Sequence, residues 1–122
     1  MIDVANRCII INDKIIKFSE IMMIEGFYFR LEYDEMGGKR FNADISFIAT
    51  QKDAKIPLKI KFYDVIRLRI EPESMYTTGF GIFDMEDTKQ RGWLSDCRYH
   101  FHFQDYEAGE MDFYCSEIEL ME

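Results

Sequence analysis

Strict alternation of apolar and polar side chains near the end of the chain is the pattern that most limits the possible folds. The apolar residues occupy every second position in two runs, Cys97, Tyr99, Phe101 and Phe103 and then Met111, Phe113 and Cys115. A period of two places all of them on one face of a β-strand. A turn at Glu107-Ala108-Gly109 separates the runs. The sequence therefore predicts an antiparallel hairpin with one buried face.

The same period recurs upstream, with turn residues between the runs. Alternation predicts strands over residues 27–33, 41–49, 56–62 and 66–70. Gly37-Gly38 is a predicted turn between the first two of these strands. Further upstream, β-branched runs flank Asn12-Asp13, and both residue types tolerate the positive φ of a tight hairpin turn. The N-terminal part is therefore predicted to begin with another hairpin.

Several segments break the alternation. Val65 stands three residues after Phe62, so the phase shifts and a bulge or bend is predicted at Asp64. Residues 19–26 fit a helical turn and a strand equally well. After Pro72, a strand is predicted over residues 80–85, followed by a polar loop over residues 87–92.

Short strands without a long helix predict an all-β fold. Such strands must cover their aromatic faces by closing on themselves or by stacking two sheets. We expect residues 1–122 to form a single antiparallel domain, a β-sandwich or flattened barrel of about seven to nine short strands. The 48% apolar composition is enough to fill the core of one such domain.

The charges are divided unevenly along the chain. The net charge is -8, and residues 71–122 carry thirteen Asp and Glu against three Lys and Arg. Scattered basic residues in an acidic chain argue against binding to a nucleic-acid backbone. The apolar runs are too short to span a membrane, and three cysteines without a leader pattern indicate the reducing cytoplasm. We expect a cytoplasmic protein whose acidic surface suits a basic protein partner.

The two histidines of the chain raise the question of a metal site. His100 and His102 are two positions apart on a predicted strand and so share a face, and Glu107 follows them. Two imidazoles and a carboxylate could ligate a transition metal, although no further histidine exists. The other interpretation is a pair of solvated histidines on a strand face. We expect no metal or other cofactor, and keep the set of His100, His102 and Glu107 as the alternative.

No sequence motif for catalysis is present. The serines lack a nucleophile context, and no glycine-rich loop could hold a phosphate. Cys115 alternates with apolar neighbours, which predicts a buried thiol and not a nucleophile. The acidic residues around the last hairpin do not have the spacing of an EF-hand loop. We therefore expect a binding protein and no enzyme.

A resemblance to a known family indicates what kind of binding protein this chain is. The residues that carry it are Lys59-Ile60-Lys61-Phe62-Tyr63-Asp64-Val65, Ile82 to Asp84, Arg98-Tyr99-His100, Asp112-Phe113-Tyr114-Cys115, Ile118 and Leu120. In this pattern the chain resembles the small all-β immunity proteins found beside bacterial polymorphic toxins. The resemblance implies a stoichiometric inhibitor that covers the basic substrate cleft of a toxin, often a nuclease, without turnover.

The residues expected to bind such a partner are acidic or aromatic. They are Asp105, Glu107, Glu110, Asp112, Glu117 and Glu119, with Tyr106 and Trp93 as apolar anchors. Two other classes stay open from the sequence. One is a small-ligand or metal-binding β-barrel protein that uses the strand face of His100 and His102. The other is a structural module that pairs exposed strand edges.

Overall fold

The chain folds into antiparallel strands with almost no helix. The computed structural model describes residues 1–71, 83–91, 98–105 and 111–121. The strands in these residues are β1 (Ile2–Asp3), β2 (Cys8–Ile11), β3 (Lys14–Lys17), β4 (Ile21–Tyr33), β5 (Lys39–Gln51), β6 (Ala54–Tyr63), β7 (Ile66–Ile70), β8 (Phe83–Asp87), β9 (Phe101–Asp105), β10 (Met111–Cys115) and β11 (Glu117–Met121). Two 3-10 turns, Phe18–Glu20 and Thr88–Arg91, complete the secondary structure of this part of the chain. No helix of the described residues is long and apolar enough to cross a membrane.

The strands form three antiparallel sheets. The first large sheet has the order β11-β6-β5-β4, the second has the order β7-β10-β9-β8, and a small N-terminal sheet has the order β1-β2-β3. The two large sheets pack against each other through aromatic rings. Phe62 of the first sheet contacts Phe103 and Phe113 of the second, with ring centroids 5.5 and 5.0 Å apart. The all-β prediction is confirmed, with the strands stacked as a sandwich.

Alternation along each strand supplies the core. On β5, Ala43, Ile45, Phe47 and Ala49 are all fully buried, and they lie opposite apolar residues of β6. Six phenylalanines have almost no exposed surface, namely Phe18, Phe47, Phe62, Phe83, Phe103 and Phe113. Phe18 belongs to the first 3-10 turn, and its ring meets that of Phe83 at 4.8 Å. This contact joins the N-terminal part of the chain to the second sheet.

Two of the predicted turns are confirmed. Asn12 and Asp13 have φ values of 47° and 66° and connect β2 to β3. Gly37 has a φ of 81° in the turn before β5, where an L side chain would be strained. The turn between β5 and β6 was not predicted. It uses Lys52 and Asp53, which also have positive φ.

The chain crosses between the large sheets at Asp64. It leaves β6 at Tyr63 and enters the second sheet at Ile66, and Asp64 has a φ of 56°. The predicted bend is therefore confirmed. The chain returns at Ser116, between β10 and β11, and the Ser116 N–H donates to the Tyr63 carbonyl at 2.9 Å. The two crossings thus lie side by side.

The remaining differences concern strand ends. Residues 19–26 combine both predicted possibilities, because the 3-10 turn ends at Glu20 and β4 begins at Ile21. Asp87 belongs to β8 and not to the polar loop, while residues 80–82 lie outside the described residues. The described residues contain eleven strands, against the seven to nine predicted, and the additional strands are the short β1 and β11.

Candidate functional site

The two histidines bond to different carboxylates. His100 Nδ1 lies 2.8 Å from Oδ1 of Asp87, and His102 Nε2 lies 2.7 Å from Oδ1 of Asp112. Asp87 belongs to β8 and Asp112 to β10, and these strands lie on opposite sides of β9. The ring of His102 also stacks on Tyr114 at 4.3 Å. These contacts hold the imidazoles toward different strands.

The alternative metal site includes a third ligand, Glu107, which lies outside the described residues. Among the residues that the structure does describe, no three His, Cys, Asp or Glu side chains are grouped so that they could hold a metal ion. The arrangement of His100 and His102 instead resembles two ordinary imidazole-carboxylate pairs. In each pair an N–H of the ring donates to a carboxylate oxygen.

The predicted partner-binding residues are only partly described. Asp105 is the last residue of β9, and of it only the backbone is described. Trp93, Tyr106, Glu107 and Glu110 lie outside the described residues. Asp112, Glu117 and Glu119 are described, and they fall on two different sheets.

The side chains of Asp112, Glu117 and Glu119 all point away from the core. Asp112 belongs to the second sheet, and the two glutamates belong to the first. Asp112 lies between the buried Met111 and Phe113 of β10, so its side chain is on the outer face of the second sheet. Glu117 and Glu119 flank the half-buried Ile118 on β11 of the first sheet. Since the inner faces of the sheets pack together, their outer faces point in opposite directions. Asp112 therefore does not share a surface with the two glutamates.

Basic and phenolic groups surround Glu117 and Glu119. Glu117 Oε1 lies 3.8 Å from a guanidinium nitrogen of Arg40, and the Tyr63 hydroxyl donates to Glu119 at 3.3 Å. Lys61 is the register partner of Glu119 on β6. The negative charges on β11 are therefore offset locally by the cations of neighbouring strands.

The outer face of the first sheet continues this pattern across β4 and β5. Arg30 contacts both Glu32 and Asp44, at 2.9 and 3.1 Å, and Lys61 contacts Glu32 at 3.2 Å. Hydrogen bonds from Asn42 and Lys61 lower the pKa of Glu32 to about 2. Positive and negative groups therefore alternate across this part of the face.

The second sheet brings four strand ends together. Ile70 ends β7 and pairs with Met111 at the start of β10, while Asp105 ends β9 and pairs with Phe83 at the start of β8. Because β10 pairs with β9, all four residues form one row across the sheet. The chain connections between β7 and β8 and between β9 and β10 therefore leave from the same end of the sheet.

A charged cluster at Asp64 was not predicted. Its carboxylate is 7% exposed and accepts hydrogen bonds from Arg40, Arg98 and Ser116, the last at 2.6 Å. The hydrogen bond from Arg40 is the main reason why the pKa of Asp64 lies well below its usual value. The Asp64 N–H donates to the side-chain oxygen of the buried Asn42 at 3.0 Å. The only sequence signal was the phase shift at this residue.

This cluster ties the sandwich together. Arg40 comes from β5, Arg98 from the segment before β9, and Ser116 from the crossing into β11. Every donor that contacts the carboxylate thus comes from a different part of the chain. Its role is to hold both sheets at their crossings, because a buried carboxylate is stable only when its oxygens are satisfied.

The thiol of Cys115 lies beside this cluster. Cys115 is fully buried, and burial raises the pKa of its thiol far above the usual value. The nearby charge of Asp64 adds to this shift. The prediction of a buried, apolar thiol is confirmed. Cys97 lies outside the described residues, and Cys8 is half-buried and free.

The first sheet ends in an unusually apolar edge. Ten large hydrophobic side chains of the described residues are exposed, and six of them belong to β4: Met22, Met23, Phe27, Tyr28, Leu31 and Tyr33. Among the described strands, β4 pairs with β5 alone, so its other edge has no strand partner there. Sequence reasoning located this strand but not its place at the sheet edge.

No protein-family model, curated protein or solved structure matches this chain.

Proposed function

We propose that this chain is a non-catalytic protein-binding module and that an acidic surface at one end of the second sheet docks onto a basic protein. Asp105, Glu107, Glu110 and Asp112 supply the charge, and Tyr106 supplies an apolar anchor. The partner is a toxin domain, such as a nuclease, whose basic substrate cleft the module covers. This class comes from the resemblance to immunity proteins.

The topology of the second sheet is the observation that supports the proposal. The row of Ile70, Met111, Asp105 and Phe83 marks the end from which two chain connections leave. Residues 71–82 contain two glutamates and residues 105–112 contain four acidic residues, and neither segment contains Lys or Arg. Two connections without a cation therefore start and finish at one end of the molecule.

This concentration of charge differs from the rest of the described surface. Glu117 and Glu119 alternate with cations on the first sheet, whereas residues 71–82 and 105–112 contain no Lys or Arg of their own. Arg69 of β7 is the basic residue beside them, opposite Asp112 and 3.9 Å from Glu71. A region with an excess of negative charge steers a basic partner toward it and raises the association rate, an effect that salt weakens. Inhibition needs only that the complex excludes substrate, so no catalytic residue is required.

Binding to the protein encoded directly upstream of this chain tests the proposal. We expect the C-terminal domain of that protein to be basic, to form a 1:1 complex measurable by calorimetry and to lose its activity in that complex. Added salt should lower the association rate constant and change the dissociation rate constant much less. Absence of a complex, or a complex in which that domain stays fully active, would contradict the proposal.

A pair of charge-matched variants locates the surface. The first combines D105N, E107Q, E110Q and D112N, and should weaken binding by at least about tenfold through slower association. The control combines D13N, E25Q, E35Q and D53N, four residues that are all exposed elsewhere. It removes the same net charge and should bind nearly as tightly as the unmodified chain. Equal losses in both variants would indicate that only net charge matters.

A further inference from the structure

The second half of the β4 edge lacks most of the features that keep sheet edges from pairing. Edge strands are usually protected by lysine, proline, bulges or short length. β4 is 13 residues long and contains neither Lys nor Pro. Its register shifts lie between Ile21 and Gly26, so they disturb only the first half. The second half, residues 27–33, pairs regularly with β5, and no strand of the described residues covers its other edge.

The side chains of this second half are apolar on the face that continues the core. Phe27, Phe29, Leu31 and Tyr33 lie opposite Ile45, Ala43, Phe41 and Lys39 of β5, and so belong to the inner face of the sheet. Phe27 is 42% exposed and Leu31 is 59% exposed. Water therefore contacts apolar surface that an additional strand would cover.

We propose that the occupant of this edge is a second copy of the chain, paired through β4 in an antiparallel arrangement about a two-fold axis at Phe29. A two-fold axis normal to the sheet keeps inner side chains opposite inner side chains, and the two sheets become one eight-stranded sheet. In such a pairing the residue on the axis lies opposite itself, and residues at equal distances before and after it lie opposite each other. Each possible register is therefore defined by the residue on the axis, and few residues of β4 can take that place.

Charge and length select among these registers. An axis at Leu31 would leave Phe27 and Tyr28 without strand partners in the other copy. An axis at Arg30 would set Arg30 against Arg30 of the other copy, and like charges directly opposite each other are destabilising. An axis at Phe29 pairs residues 27–31 with one another in the two copies, sets Glu32 and Tyr33 opposite Gly26 and Glu25, and separates the two arginines.

In that register each exposed group meets a suitable one. Phe27 lies opposite Leu31 of the second copy, and the two-fold axis repeats this pair. Four exposed apolar side chains are thereby covered. Arg30 lies opposite Tyr28, and its guanidinium already contacts its own Tyr28 ring at 5.6 Å, so the geometry suits a cation–π contact. Phe29 lies opposite Phe29 of the second copy. The edge is thus complementary to itself.

Light scattering coupled to gel filtration tests this interface. We expect the unmodified chain to have twice the 14.6 kDa mass of a single chain at high concentration. F27K and L31K should each have the single-chain mass, because each variant loses an apolar contact in both halves of the interface and sets a charged ammonium against an apolar side chain. M36K should remain a dimer, because Met36 is 93% exposed and lies in the turn beyond β4. Far-ultraviolet circular dichroism verifies that each variant is folded.

The remaining outcomes overturn the proposal. A single-chain mass for the unmodified protein at all concentrations would show that another molecule, or none, occupies the edge. A dimer that survives both F27K and L31K would use a different surface. The acidic residues of the proposed toxin-binding surface are unchanged in these variants, so loss of the dimer and loss of partner binding are measured separately.

Discussion

Arg40 and Asp64 meet at two points, with Nε 3.1 Å from Oδ1 and Nη2 2.9 Å from Oδ2 of the carboxylate. The two residues are 24 positions apart in the chain. Asp64 occupies the crossing from the first sheet to the second, where its backbone has a positive φ. This ion pair therefore holds in place the point at which the chain crosses between the two sheets.

We expect D64N to lower the free energy of unfolding by about 2–3 kcal/mol, because it removes the charge that satisfies Arg40 and Arg98. Asn tolerates the positive φ, so the loss reports the carboxylate and not backbone strain. Urea unfolding measures the effect. D53N is the matched control, since Asp53 also has a positive φ but is exposed. Equal stability of D64N and D53N would contradict the assigned role.

Acid should destabilise the protein in a defined range of pH. The folded-state pKa of Glu32 is about 2, below its ordinary 4.5, so the unfolded chain binds the proton first as the pH falls. This contribution to stability is present above about pH 4.5 and is lost between pH 4.5 and 2. The low pKa of Asp64 extends the loss to still lower pH.

Urea unfolding of E32Q at a series of pH values isolates the part due to Glu32. The variant should be less stable than the unmodified chain near neutral pH, and its stability should fall less steeply below pH 4.5. E35Q, at an exposed turn position, should keep the original slope. A variant slope as steep as that of the unmodified chain would argue against the bonds from Asn42 and Lys61.

Cys115 should resist thiol reagents as long as the protein is folded. A C8S/C97S variant leaves it as the single thiol, and burial together with the raised pKa keeps the thiolate population negligible. We expect its reaction with an aromatic disulfide to require urea and to follow the unfolding transition. Rapid labelling in native buffer would show that the core opens locally at β10.

Zinc should not bind tightly to His100 and His102. His100 bonds to Asp87 through Nδ1 and His102 bonds to Asp112 through Nε2, on opposite neighbouring strands, and the described residues group no third ligand with them. Calorimetric titration of an untagged protein with zinc should give no stoichiometric binding at micromolar concentration. One zinc per chain, lost in H102Q, would instead favour the alternative site with Glu107.

Local patterns predicted much of this fold, because they depend on neighbouring residues. Alternation located β10, and Asn12-Asp13 marked the first hairpin turn. The Asp64 cluster was beyond such reasoning, since its partners Arg98 and Ser116 are 34 and 52 positions away. The apolar character of β4 was visible in the sequence, but its edge position depends on strand order, which one chain's periodicity does not contain.

The predicted acidic surface shows the same division. The sequence identified the acidic residues of the last hairpin, and also Glu117 and Glu119, as one group. The described structure separates Asp112 from the two glutamates, because the chain changes sheets at Ser116 between them. A change of sheet reverses which way a strand's outer side chains point, and composition carries no signal for it.

The row of strand ends at Ile70 and Met111 lies at the other end of β7 and β10 from the crossings at Asp64 and Ser116. Substitutions or insertions in the connections at that row leave the bonds at the crossings untouched. The bonds that hold the two large sheets together and the chain connections at that row therefore lie at opposite ends of the second sheet, so changes in the connections should cost little stability.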